Sequence, residues 1–235
     1  MIGQLPSRGF NLWRSVVALL AIAVLAGCAQ METKQDAYPG MYEASRPLAV
    51  LVLPAINQST AADAGFLLDV TVAQPFSNHG YYILPVPLTV EIFQREGIID
   101  GEQLMGIPGT VFREAFGADA VLFITIEEWE TRYLVIAGNV TVSLSYVLKS
   151  AHDESILWSY KDKIVVDTSG SSGFILADII ATAVATAMTD YVPVAIQVHE
   201  AALKAMPHGR YHPKYGVDGA DKAVNMEKRT AALGE

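Results

Sequence analysis

Apolar positions along this chain come in three textures, and each predicts a different element. Short continuous apolar runs mark strands covered on both faces. They are Leu48–Leu53 (LAVLVL, closed by Pro54), Tyr81–Val86 (YYILPV) and Ala120–Ile126 (AVLFITI). Alternation comes later: Val140, Val142, Leu144, Tyr146 and Leu148 interleave with Thr141, Ser143, Ser145, Val147 and Lys149. That pattern gives a strand with one dry and one wetter face. His152–Ser155 turns the chain into Ile156–Val166, its hairpin partner, and 129–136 predicts a further strand. The third texture is helical. After the polar loop Asn57–Thr60, residues 61–78 carry Phe66, Val70, Ala73 and Phe76 at helical spacing, and Pro75 should kink or shorten that helix. Thr89 is placed to cap a short helix through Phe93 to Glu96, stopped at Gly97. Asp100 opens another, broken at Gly106-Ile107-Pro108 and resumed through Val111, Phe112 and Phe116 to a C-cap at Gly117. A long helical region follows from Phe174 to Met206, with Pro193 as a kink. The order is β-α-β-α-β, then a β-hairpin, then a long C-terminal helix. It predicts an α/β fold in which a mixed β-sheet is layered with helices.

The N-terminus carries a different signal. Arg8 and Arg14 precede Val16–Ala26 (VVALLAIAVLA), which has no polar side chain. A basic leader followed by an apolar stretch of roughly 7–15 residues is the form of a secretory signal, whereas a spanning helix needs about 20. The stretch ends in Leu25-Ala26-Gly27-Cys28, which resembles the lipobox of bacterial lipoproteins. That resemblance implies cleavage before Cys28 and acyl chains, palmitate among them, on the cysteine. Small residues at 26 and 27 let a peptidase approach the backbone, and a thiol is the good nucleophile for acyl transfer. Cys28 is the one cysteine in the chain, so no intramolecular disulfide competes for it. In lipobox families the residues after the cysteine carry sorting information. Ala29 and Gln30, with no Asp at the first position, imply the outer membrane; the domain is expected to face the periplasm, with surface exposure as the alternative.

Composition narrows the partners. Cleavage after residue 27 removes two arginines, so the net charge goes from −9 for 235 residues to −11 for 208. An acidic balance argues against nucleic acid and against adhesion to anionic lipid through a basic patch; lipid on Cys28 must do the membrane work. The chain divides into a signal peptide (1–27), a lipidated tether (28–46), a single α/β lipoprotein domain (47–207) and a C-terminal tail (208–235).

No catalytic, cofactor or metal constellation emerges. His199-Glu200 begins like a zinc-protease helix motif, but Leu203 stands where the second histidine is required. His208 and His212 could share a metal by spacing, in a loop context set by Gly209 and Pro213. Asp167–Gly173 (DTSGSSG) precedes a helix but lacks the lysine of a phosphate-binding loop. Glu127, Glu128 and Glu130 follow a buried strand, where adjacent side chains point to opposite faces and make a poor acid–base pair. Phe174–Ala187 (FILADIIATAVATA) is apolar on nearly all sides, so it predicts a buried helix. Part of 174–190 is expected to serve a protein partner or a second copy of the chain.

Several phrases in order, namely LAVLVLPAINQST, HGYYILPV, FGADAVLFITIEEW, VVDTSGSSG, TDYVPVA and GRYHPKYG, resemble a family of bacterial lipoproteins of unknown function. That family includes a surface antigen studied as a vaccine candidate. The first phrase is also loosely similar to the curli secretion channel lipoprotein and to the N-terminal domain of the Tol translocation protein. The resemblance implies an accessory in envelope assembly, secretion or transport that binds protein partners, with no known activity and no catalytic residues to carry over; with no catalytic constellation in the sequence, no enzyme is expected. The alternative is a binding module for a small ligand or envelope polymer, using the loops at 55–60 and 167–173.

Overall fold

Pro54 explains how the first strand meets the rest of the sheet. In the computed structural model, which describes residues 33–43, 47–134, 137–167 and 191–223, strand β1 (Ala49–Val52) runs beside the start of β4 (Ala120–Leu134). Pro54 has no N–H to give to a ladder. The chain therefore leaves β4 there and rejoins it one step on as β2 (Ile56–Asn57), parallel to Thr125 and Ile126. Helix α2 (Ala64–Asn78) leads to β3 (Tyr82–Ile83), parallel to β1 on its other side. Helix α3 (Val86–Arg95), a 3-10 turn at Gly101–Leu104 and helix α4 (Gly109–Phe116) lead into β4. Strands β5 (Ala137–Ser150) and β6 (Ile156–Asp167) complete an antiparallel meander, giving the order β3-β1-β4-β5-β6. Helix α5 (Tyr191–Leu203) closes the layer beside α2. This is the mixed α/β sheet the pattern predicts.

The two halves of the sheet bury different amounts. Around β1, one face carries Val50, Val52, Leu122, Ile124 and Ile126 against α2, with Phe76, Trp158 and Val198 in the same core. The opposite face carries Leu51, Leu53 and Val121 against Phe93, Leu104 and Phe112. The meander is dry on one face only, where Val142, Leu144, Tyr146 and Leu148 join the first core. On the other face the polar Thr141 and Ser143 are buried, while Ser145, Val147 and Lys149 stay partly open. Burying a side chain of this size contributes about 1.5–3 kcal/mol, so the α2-side core carries most of the fold's stability.

Several expectations are corrected. The described part of the 129–136 run is no separate strand: β4 continues to Leu134 after a bulge between Ile126 and Glu128. On α2 the row Ala64, Leu68, Val72 and Phe76 faces the core, while Phe66 is 72% and Val70 57% exposed. Apolar residues lie on most sides of this helix, so spacing alone does not choose the buried row. Pro75 does not stop it; Pro75 is buried in the last turn and the helix runs to Asn78. Strand Tyr81–Val86 shrinks to two residues because Pro85 and Pro87 start α3 early, which places Thr89 inside the helix, its hydroxyl on the Val86 carbonyl at 3.0 Å. Residues 33–43 and 208–223, assigned to a tether and a tail, pack on the domain. Tyr38 and Met41 lie in the core, and Thr33 bridges Lys222. Cys28, the signal segment 1–27 and the 174–190 helix lie outside the described residues.

Candidate functional site

Three segments far apart in sequence meet at the end of the sheet where β3 begins. Helix α1 (Lys34–Ala37) is capped by Thr33, whose hydroxyl oxygen accepts from the Asp36 N–H at 3.2 Å. The second segment is the turn His79-Gly80-Tyr81 after α2. The third is 206–222. Gly80 and Gly209 let the last two touch: a Cβ on Gly209 would stand 2.2 Å from the Gly80 oxygen, and Gly80 itself has a φ of +97°. Both positions require glycine. The Gly209 N–H donates to His79 O and the Tyr211 N–H to Gly80 O, each at 3.0 Å.

Carbonyls in the turn that follows α5 organise the seam. Lys34 Nζ donates to Met206 O at 2.9 Å, His79 Nε2 to the same oxygen at 3.0 Å, and the Tyr81 hydroxyl to Pro207 O at 2.7 Å. Asp218 is the second organiser. It accepts from His208 N at 2.9 Å and His208 Nδ1 at 2.7 Å on one oxygen, and from the Tyr42 hydroxyl at 3.2 Å on the other. Lys34 Nζ stands 3.8 Å away, and the two side chains are only 5% and 1% exposed. Burial pushes the Asp218 carboxyl up, but the His208 hydrogen bonds and the Lys34 charge outweigh it and leave it below its ordinary value. Burial lowers Lys34, with Asp218 opposing.

Three imidazoles stack over this pair. His79 and His208 lie 4.4 Å apart between centroids, and His208 and His212 3.9 Å. Their partners fix the tautomers: His79 holds its proton on Nε2 for Met206, and His208 holds one on Nδ1 for Asp218. Burial, against its bond to Met206, lowers His79 to about 4. Beside the stack opens a cleft of about 390 Å³ lined by Lys34, His79, Glu200, Lys204, His208 and Asp221, among others.

The expected chemistry is distributed differently. His208 and His212 do come together, but face to face, so their in-plane lone pairs run side by side rather than converging on an ion. Among the described residues no group of three potential ligands converges either. His199 sits in the core, 0% exposed, far from any motif role. The Thr71 hydroxyl gives its proton to Leu68 O at 2.7 Å, so it accepts from His199 Nε2 at 3.0 Å. Nδ1 is therefore the acceptor for the Tyr146 hydroxyl at 2.9 Å. Burial lowers this imidazole to about 3. The bulge after Ile126 overturns the expected split of Glu127 and Glu128. Both reach the same face, pairing with Lys161 and Lys163 at 2.6 Å each, and the Ser143 hydroxyl also donates to Glu127 at 3.1 Å. Of the 167–173 loop only Asp167 is described. Sequence reasoning missed Lys34, His79 and Asp218; the glycine–histidine phrases at 79–80 and 209–212 were the available signal.

The family model "Putative lipoprotein GNA1162-like" matches residues 38–210. The chain belongs to that family. "Putative lipoprotein NMB1124/NMB1162" of Neisseria meningitidis serogroup B is 27% identical over 178 residues, 74% of this chain and 82% of that protein. The crystal structure of lipoprotein GNA1162 from Neisseria meningitidis aligns at a TM-score of 0.50 with 29% identity, covering 59% of this chain and 96% of that one. A PelC dodecamer subunit from Paraburkholderia phytofirmans aligns at 0.43 with 16% identity, over 66% and 85% of the two chains. The protein is an envelope-associated lipoprotein, and among its described residues no helix is long and apolar enough to cross a membrane.

Proposed function

We propose that the chain is held in the outer membrane by lipid on Cys28, with its domain in the periplasm. There it serves as a non-enzymatic accessory in envelope assembly, secretion or transport by binding protein partners. Family membership supports the anchoring. The observation that carries the accessory role is how the candidate chemistry is used. His199, Glu127, Glu128 and Asp218 are all engaged in internal bonds that hold strands, helices and loops together. The apolar segment 174–190 is the proposed partner or self-association surface, on its sequence. Two experiments test the reading. Cys28→Ser should abolish fatty-acid labelling and leave the precursor uncleaved; normal maturation would remove the anchor. Affinity capture from solubilised envelopes should return stoichiometric protein partners, and a bare monomer would remove the accessory role. The cleft favours a second reading, a binding module for a small ligand. Its mixed lining of Lys34, Lys204, Glu200 and Asp221 suits a zwitterion, and a ligand retained through purification would establish it.

A further inference from the structure

The segment 209–217 is a closed loop with an exposed rim of unusual composition. His208 and Asp218 pinch its neck at 2.7 Å, and inside it His212 N, Tyr215 N and Val217 N bond back to Gly209 O, His212 O and Lys214 O. Compact loops closed at the neck are frequently functional. Its outer positions are Arg210, Tyr211, Pro213, Lys214, Tyr215 and Val217, with Tyr211 67% and Val217 75% exposed. No acidic residue occurs between His208 and Val217, in a chain whose net charge is −9. The same neck is zippered to the N-terminal segment: Lys34 N donates to Asp221 O at 2.8 Å and Gln35 N to Gly219 O at 3.1 Å. Cys28 precedes Thr33 by five residues, and five residues span at most about 18 Å.

From this placement we infer that the 209–217 loop is a second membrane contact. Tyr211, Tyr215 and Val217 meet the headgroup region of the bilayer that holds the Cys28 lipid, while Arg210 and Lys214 meet its anionic headgroups. The inference rests on lipid at Cys28 and adds an orientation to it. Tyrosine suits the interface because its ring is apolar and its hydroxyl remains hydrated. Basic residues near an anionic surface are attracted within a Debye length, so local composition matters more than the chain's net charge. The acidic balance that argues against adhesion is an average that this loop escapes.

The test places a reporter in the loop of the processed chain purified from bacterial membranes. Tyr211→Trp and Ile99→Trp are each reconstituted in phosphatidylethanolamine–phosphatidylglycerol vesicles, with and without brominated acyl chains. Ile99 is 80% exposed but lies at the other end of the strands, beside Asp100 and its bond to Asn57. The native Trp129 and Trp158 are buried and form a constant background. Quenching should be at least about twofold greater at 211 than at 99, as expected for a ring at the interface. The Arg210→Glu/Lys214→Glu pair added to Tyr211→Trp should lower it while vesicle flotation persists. Mass spectrometry reads the lipid on Cys28 separately. If the thiol is bare, the anchoring reading fails, and coupling that thiol to a maleimide lipid still poses the loop question. Equal quenching at 211 and 99 in an anchored chain overturns the inference, including the case where a protein covers the loop instead.

Discussion

His199 and the His79–His208–His212 stack are the same side chain in two settings. His199 is dry, with each nitrogen matched to a hydroxyl from a different element, Thr71 on α2 and Tyr146 on β5. It acts as a neutral bracket. The stacked rings lie on a cleft wall, face one another, and lean on a buried Lys34–Asp218 pair. Histidine in a core stabilises by being satisfied and uncharged. At the seam, histidines join segments whose contacts respond to protons.

The largest expected effect breaks the dry side. His199→Ala leaves the Tyr146 hydroxyl without its imidazole acceptor and opens a cavity, so it should cost about 3–5 kcal/mol. Denaturant unfolding followed by circular dichroism measures it; a loss below about 1 kcal/mol would mean the bracket is idle. Asp218→Ala comes next. It strips the buried Lys34 charge of its counter-ion and unpins His208, for about 3 kcal/mol by the same measurement. It should also expose 209–217 to protease, which His199→Ala should do only through global unfolding.

Acid sharpens the contrast. The folded-state value of His79 is depressed to about 4 from 6.5. Its contribution is therefore present above 6.5 and lost as pH falls through about 4. For His199, held near 3, the loss extends lower still. His79→Gln keeps an N–H for Met206 but cannot take a proton. The variant should lose less stability than wild type on acidification between those values, and parallel curves would show that this ring is silent. The smallest effect belongs to Asp69 on α2, which burial raises to about 7. A raised carboxyl stabilises below its unfolded value near 3.8 and loses that contribution as pH rises through about 7. Asp69→Asn should raise the melting temperature at mildly alkaline pH and leave it nearly unchanged at acidic pH.

The strands were legible because apolar runs and alternation are local properties. Leu48–Leu53 and Val140–Leu148 announce their burial in their own letters. Two features were illegible for opposite reasons. On α2 too many rows are apolar, so the spacing picks out the row with Phe66 and Val70, although Leu68 and Val72 are the buried ones. At Glu127 one extra residue in the ladder moves a side chain across the sheet, and no pattern in β4 alone marks it. The seam was harder still. Lys34, His79 and Asp218 come from polar, aperiodic stretches, and only long-range pairing gives them a common purpose.

That pairing has a consequence for when the protein becomes itself. Thr33 meets Lys222, and the Lys34 ammonium reaches the Met206 carbonyl across 172 positions of sequence. The first described segment thus finds its seat only on the last. A chain threaded through an export channel from its N-terminus would carry Lys34 without its seat until residues 206–221 had crossed. Contacts of such sequence separation form late and slowly. If the chain is exported unfolded, as the anchoring proposed above requires, a fold latched by residues 206–222 is a timing device as well as a shape.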